Sequence, residues 1–233
     1  MKVVILAGGK GTRLAPYTSV FPKPLMPIGE VPILQLVIER LKKFGLTDIT
    51  LAVGYLAELM ESFFGDGSKF GVKIKYSREK QPLGTAGPLK LIDDLGGGPF
   101  LVMNGDILTT LDFGELIDAH KKNKASATIA THQRTVDIDF GVIKSDPRGR
   151  LLEYIEKPQH DYRVSMGINI FEPEVLSFFE RGDKIDVPDL ISLLVKKEKT
   201  VNCYMFDGYW LDIGRHSDYE KAMLEFDQMK DKF

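Results

Sequence analysis

The first 27 residues constrain this chain most. Lys2 to Ala7 (KVVILA) is an apolar run of strand length, continuous enough to be buried on both faces. It stops at Gly8-Gly9-Lys10-Gly11-Thr12-Arg13, where clustered glycines let the backbone take positive φ and approach a ligand closely. Successive backbone N–H groups in such a turn form a concave anion site, and Lys10 and Arg13 add positive charge beside it. Further on, Phe21-Pro22-Lys23-Pro24-Leu25 places Lys23 between two prolines, which predicts a stiff extended segment with little freedom to lose on binding. A strand, a glycine turn and two held cations suit a polyphosphate. Two familiar phosphate loops are excluded. A Walker-type loop needs Ser or Thr where Gly11 stands, and the G-x-G-x-x-G dinucleotide fingerprint needs glycine where Leu14 stands.

The rest of the first half alternates strand and helix signals. A helix is predicted from Pro32 to Phe44, with Leu34, Val37, Ile38 and Leu41 on one face and Gly45 as its stop. Asp48 to Val53 reads as a strand, Leu56 to Phe64 as a helix, Val72 to Tyr76 and Phe100 to Met103 as strands, and Phe113 to Asn123 as a helix. This is the pattern of a Rossmann-like α/β fold, a doubly wound, mixed and mostly parallel sheet flanked by helices, with ligands beyond the carboxyl ends of the strands. The second half is richer in strands: Ala127 to Thr131, Gly141 to Lys144, Leu151 to Ile155 and Val164 to Phe171. Helices are expected at Glu174 to Phe179, Val187 to Lys196 and His216 to Met229. With no linker or repeat, residues 1–233 read as a single domain.

Three loops carry candidate chemistry. Glu79 leads into Pro82-Leu83-Gly84-Thr85-Ala86-Gly87, where the glycines allow something flat to approach and Thr85 is placed to cap a helix running on through Leu91. Glu79, acceptor-only, matches the two adjacent donors on the pairing edge of guanine. Asn104-Gly105-Asp106 puts an acid just past a buried strand, and Asp212 is a lone carboxylate in the apolar stretch Gly208 to Gly214. Burial of such an acid is costly unless a metal or donor pairs it, and Mg²⁺ takes one or two carboxylates together with phosphate oxygens and water. Glu156 can accept sugar hydroxyls and Lys157 can pair with a phosphate.

LAGGKGTRL followed by FPKPLMPI, then PLGTAGPL, EKP and the stretch around Asp212 resemble, in order, the signatures of the sugar-nucleotide pyrophosphorylases, the nucleotidyltransferases acting on sugar 1-phosphates. The resemblance implies a nucleotidyltransferase (GT-A-like) fold, and PLGTAGPL looks like the form found in mannose-1-phosphate guanylyltransferases. It implies that Leu6, Ala7, Gly8, Gly9, Gly11, Thr12 and Arg13 bind the nucleotide together with Glu79, Pro82, Gly84 and Thr85. Arg13, Lys23 and Asp106 would be catalytic, with Asp106 and Asp212 holding Mg²⁺. Gly105, Glu156, Lys157, Ser165 and Gly167 would hold the sugar phosphate. Ser165 stands where asparagine is common in the family, which weakens the implication of mannose. The reaction implied is NTP plus sugar 1-phosphate giving NDP-sugar and pyrophosphate, with GTP and mannose 1-phosphate foremost. Uridylyl-, thymidylyl- and heptose-1-phosphate guanylyltransferases remain open, as does a non-catalytic nucleotide-sugar sensor. The left-handed β-helix that many relatives append at the C-terminus is not expected.

Composition sets the remaining bounds. A formal net charge of −2 gives no reason to expect nucleic acid as a partner, so the phosphate chemistry is local. No apolar run approaches bilayer length, and Met1-Lys2-Val3 enters a strand rather than a signal peptide. A lone cysteine, Cys203, fits a reducing cytoplasm and, in the run Val201 to Phe206, is expected to be a packed core thiol. The four histidines have no metal spacing and are expected at the surface. Homo-oligomerisation is left open.

Overall fold

The structure, a computed structural model, describes residues 1–229. Its strands are β1 (Lys2–Ala7), β2 (Pro27–Ile28), β3 (Val31–Pro32), β4 (Asp48–Val53), β5 (Lys73–Arg78), β6 (Phe100–Asn104), β7 (Ile107–Thr109), β8 (Ala127–Asp137), β9 (Val142–Ser145), β10 (Leu151–Ile155), β11 (Gln159–Phe171), β12 (Val201–Phe206) and β13 (Trp210–Asp212). Its α-helices are α1 (Ile33–Lys43), α2 (Ala57–Phe64), α3 (Phe113–Asn123), α4 (Val187–Lys196) and α5 (His216–Met229).

Seven strands form one sheet in the order β12-β8-β11-β6-β1-β4-β5. All neighbours are parallel except β11, which runs antiparallel to both β6 and β8. The sheet is therefore mixed and mostly parallel, as its sequence pattern predicts. Along β1, Val3, Ile5 and Ala7 pack with α1 and α2, whereas Val4 packs on the opposite face with Leu89, Val102, Leu190 and Leu194. Both faces are covered, which is why KVVILA reads as a continuous apolar run. On α1, Leu34, Val37, Ile38 and Leu41 are all buried, and each contributes about 1.5–3 kcal/mol by leaving water.

A third apolar cluster positions the site. Leu14 and Met26, from the segments around the glycine turn and Lys23, meet Leu108 of β7, Leu211 and Ile213 around β13, and Ala222 and Phe226 of α5. The glycine turn and the strand carrying Asp212 thus share one core. The register Ala7↔Val53↔Arg78 and Leu6↔Asn104 brings the carboxyl ends of four parallel strands to one edge of the sheet.

Several expectations are corrected. Lys23–Leu25 is a 3-10 turn rather than an extended segment; Pro22, at φ −63° and ψ 138°, and Met26 are extended on either side of it. Gly87–Leu91 and Pro173–Phe178 are also 3-10 rather than α-helical. Strands β8 and β11 run several residues past their predicted ends as a two-stranded arm, where Arg134 pairs with Tyr162 and Gln159 with Asp137. The arm is largely exposed, so no buried face imposes an alternating pattern. Cys203 is exposed, not packed in the core: β12 is an edge strand whose outward positions are Cys203 and Met205. His120 is not at the surface but 1% exposed beneath α3, with Nδ1 2.8 Å from the Thr128 hydroxyl. No helix of the described residues is long and apolar enough to cross a membrane.

Candidate active site

The turn after β1 is built around two requirements for glycine. Gly11 has φ +61°, and a Cβ there would lie 2.9 Å from Thr18 Cγ2; the Thr18 hydroxyl donates to the Gly11 carbonyl at 2.9 Å and holds this bend. At Gly8 a Cβ would meet Glu79 Oε1 at 2.8 Å. Gly9, Thr12 and Arg13 are exposed, whereas Ala7 is buried and Leu6 and Gly8 are half-buried. The exposed rim of the turn therefore combines unencumbered backbone with a guanidinium. Arg13 extends towards Gly214, at the far end of the site.

Two carboxylates meet beyond β6. Gly105 donates its N–H to Leu6 at 3.0 Å, and a Cβ there would sit 3.1 Å from Ile5, so the chain hugs β1 as it turns. Strand β13 pairs antiparallel with β7, setting Asp212 opposite Ile107, and the Ile213 N–H donates to the Asp106 carbonyl at 3.1 Å. Asp106 and Asp212 thereby become neighbours. Burial pushes the Asp212 carboxyl above the usual carboxylate range, the Asp106 charge pushes it the same way, and Lys23 and Arg13 partly offset both. Lys23 forms an ion pair with Asp106 Oδ2, both side chains being mostly withdrawn from water. Asp106 Oδ1 is buried with no hydrogen-bond partner among the described residues, a situation that costs about 1–3 kcal/mol. Hard oxygen donors on two adjacent acids, one of them left unsatisfied, fit a small divalent cation completed by phosphate oxygens and water.

The loop after β5 is strapped to the start of α4. Gly84 has φ +78°, and a Cβ would lie 2.5 Å from the Ile185 carbonyl; a Cβ on Gly87 would lie 2.5 Å from the Asp183 carbonyl. Ala86 and Gly87 both donate N–H groups to Ile185. Thr85 does not cap its own helix as expected. Its N–H donates to Asp186 Oδ1, and its hydroxyl accepts the Val187 N–H at 2.7 Å, so it caps α4. Glu79 is likewise committed: Oε2 accepts the Leu83 N–H at 3.0 Å, and Oε1 lies against the positions where Gly8 and Gly54 lack a Cβ. Its carboxylate is packed between the glycine turn and the loop instead of offering two free oxygens. Pro82 lies exposed inside the tied segment.

Asp212 is the one residue lining both of two clefts. The first, about 550 Å³, is lined by Leu6, Asn104, Thr85 and α4 together with Ser165, Gly167 and Asn169 of β11. Gly167, at φ +70°, lets Asn104 approach, since a Cβ would lie 2.6 Å from its Nδ2. Ser165 accepts the Gly167 N–H at 3.3 Å. The second cleft, about 470 Å³, is lined by Arg13, Arg134, Arg215 and Lys221. Arg134 and Arg215 escaped the sequence reading because they belong to the arm and to the start of α5, and only the fold brings them beside Arg13. Glu156 and Lys157 line neither cleft. They stand exposed beyond β10, where the Tyr154 hydroxyl donates to Glu156 at 2.9 Å and Lys157 takes φ +45°.

A glycine turn, a half-buried acid pair with a bound lysine and a substrate-sized cleft stand together at the carboxyl edge of a mixed α/β sheet, where ligands of such folds bind. The chain belongs to the nucleotidyl transferase family, whose match covers residues 2–229. It is 37% identical over 242 residues to a UTP–glucose-1-phosphate uridylyltransferase of Synechocystis, covering 96% of this chain and 62% of that protein. It is 37% identical over 227 residues to the mannose-1-phosphate guanyltransferase of Saccharomyces cerevisiae, covering 94% of this chain and 63% of that protein. The chain thus spans less than two thirds of the length of these curated relatives. Among solved structures it is similar to HddC from Yersinia pseudotuberculosis complexed with GMP-PN, with a TM-score of 0.74 and 26% identity over 97% of this chain and 99% of that one.

Proposed function

We propose that this protein is a sugar-1-phosphate nucleotidyltransferase: NTP and a sugar 1-phosphate give an NDP-sugar and pyrophosphate. The reading rests above all on the Asp106–Asp212 pair, with its unsatisfied oxygen, set between Lys23 and Arg13. A phosphate oxygen of the sugar 1-phosphate attacks the α-phosphorus of the NTP. A new P–O bond forms, the bond from the α-phosphorus to the α–β bridging oxygen breaks, and pyrophosphate leaves with that electron pair. Such a transfer asks mainly for positioning and for neutralisation of charge. Lys23 is held at the acid pair to meet charge on the transferring phosphoryl group, and Arg13 reaches the β- and γ-phosphates. The backbone N–H groups of Gly9, Gly11 and Thr12 orient the triphosphate. Asp106 and Asp212 would hold Mg²⁺, which when bound supplies neutralisation of phosphate charge.

GTP with mannose 1-phosphate is the substrate pair proposed. PLGTAGPL supports it, as does the likeness to a mannose-1-phosphate guanyltransferase and to a protein complexed with GMP-PN. The equal identity to a uridylyltransferase supports UTP as the rival. A matrix of five NTPs against glucose, mannose and heptose 1-phosphates, read by pyrophosphate release, separates them. Release with GTP and mannose 1-phosphate at least tenfold above every other pair is expected. A maximum with UTP would replace the substrate assignment, and no release with any pair would remove the proposed activity.

A further inference from the structure

The β9–β10 hairpin turns an apolar face to solvent. Its two strands form a sheet of their own, separate from the seven-stranded one. Tyr154 stands opposite Ile143 on one face, and Glu153 stands opposite Lys144 on the other, where the two are ion-paired at 2.6 Å. Leu151 and Leu152 sit at a bulge next to the turn. These four apolar residues are each more than half exposed, and Phe140, just before β9, is 79% exposed. Of the hairpin's apolar residues only Val142 and Ile155, paired on the face of Glu153, are half-buried. A large apolar side chain exposed singly is ordinary, but a cluster of them on one small element marks a surface that another molecule covers. A lone two-stranded hairpin is also only marginally stable in water and needs a packed face.

We propose that this face binds a second copy of the chain, in a two-fold dimer whose hairpins pack antiparallel, turn against base. The charges at the two ends of the hairpin select that partner. The turn carries Arg148 and Arg150, both exposed and without an ion pair among the described residues. Asp146 lies in the same turn, where its Oδ1 accepts the backbone N–H groups of both arginines at 2.9 Å. The base, closed by the Ile138 N–H donating to the Pro158 carbonyl at 3.1 Å, carries Asp137 and Asp139. Those two acids are likewise exposed and unpaired among the described residues, and Glu156 and Lys157 beside them cancel. A two-fold contact requires one patch to complement itself. An axis through the Ile143–Tyr154 pair lays one apolar strip on the other and sets each copy's arginines against the other's aspartates. The Lys144–Glu153 pairs then face away from the contact. A turn-to-turn arrangement would set arginine against arginine, and like charges brought together at an interface cost several kcal/mol. A partner of another sequence would not require basic and acidic ends on the same hairpin.

The test follows the mass of the full chain in solution by sedimentation equilibrium, with circular dichroism to show that each variant is folded. Wild type should dimerise to twice the 26.2 kDa chain mass, and Ile143→Glu should be a folded monomer. Two charge-reversed chains then probe the arrangement. One carries Arg148→Glu with Arg150→Glu at the turn, and the other carries Asp137→Lys with Asp139→Lys at the base. Each alone should dimerise at least about tenfold more weakly than wild type, because every end now meets its own sign. Mixed in equal amounts they should regain the wild-type dissociation constant, since each reversed end finds its complement in the other chain. A wild type that stays monomeric up to its solubility limit would give the face to some other occupant and overturn the proposal. Undiminished dimerisation of Ile143→Glu would place the contact elsewhere and overturn it too. Failure of the two reversed chains to associate would rule out the antiparallel arrangement. If a reversed chain does not fold, the salt dependence of the wild-type dimer decides. Weakening as salt rises is expected, and no change would contradict the pairing of the ends.

Discussion

Asp106 and Asp212 are neighbours with opposite energetic roles. Asp106 is paired with Lys23, whereas Asp212 is desolvated beside a like charge. Both substitutions to alanine should lower kcat at least ~100-fold, since neutralisation of phosphate charge is worth several kcal/mol of barrier. Their stabilities should diverge in metal-free buffer. Asp106→Ala strands a mostly buried lysine and should cost about 3 kcal/mol, while Asp212→Ala relieves repulsion and should leave Tm equal or higher; thermal melts of the two variants check this. Arg13→Lys should retain more activity than Arg13→Ala, yet less than wild type, because a planar fork matches phosphate oxygens better than a point charge. His120 supplies a pH prediction. Burial lowers its pKa, with Glu172 opposing, so the unfolded chain takes up the proton first as pH falls. The associated stability is intact above about pH 6.5, the ordinary value, and is lost as pH drops through the folded value. His120→Phe should flatten the Tm–pH profile below pH 6.5; an unchanged slope would contradict it. Sequence made the lone acids legible because a carboxylate amid apolar residues is conspicuous. It hid His120, whose polarity reads as surface although Phe113, Leu116 and His120 share one buried helical face.

At the scale of elements, the loop after β5 and the start of α4 act as one unit. Thr85→Val removes one hydrogen bond at the N-terminus of α4, whose Asp186–Asp189 capping box remains, and should destabilise by about 0.5–1.5 kcal/mol, with a rise in KM for the NTP larger than any change in kcat. Gly84→Ala combines positive φ with a 2.5 Å approach to a carbonyl and should be worse in both respects. Denaturant melts and initial-rate kinetics measure the two effects, and wild-type behaviour in both variants would show the strap to be dispensable. This strap was not legible from the chain, because Thr85 and Val187 are far apart in sequence and only the fold joins them. What was legible were elements with a buried face, such as β4, α3 and α4, whose predicted and observed limits coincide. The β8–β11 arm was cut short for the converse reason. Beyond Thr131 its strands pair with each other above solvent, and no core imposes a period. The 3-10 turn at Lys23 was missed because two prolines fix φ without fixing the turn that follows.

The whole molecule sets Asp212, one member of the acid pair, where two clefts meet. The cationic cleft of Arg13, Arg134, Arg215 and Lys221 suits phosphate oxygens, and the cleft beside β11 is more apolar. One sheet edge supplies the glycine turn, the loop from Glu79 and Asp106, while β13 returns from the second half of the chain with Asp212. The mixed sheet was readable from alternating strand and helix patterns, but the meeting of the clefts was not, since it depends on pairing between β7 and β13. On the proposed function, the α–β bond of an NTP is broken here by a sugar phosphate. The most direct measurement follows labelled GTP in the presence of mannose 1-phosphate and Mg²⁺. Label at the α-phosphorus should appear in the NDP-sugar, and label at the γ-phosphorus in pyrophosphate, with neither product formed unless the sugar phosphate is present. Release of γ-label as inorganic phosphate, or α-label that never reaches a sugar with any NTP and sugar 1-phosphate, would contradict the account.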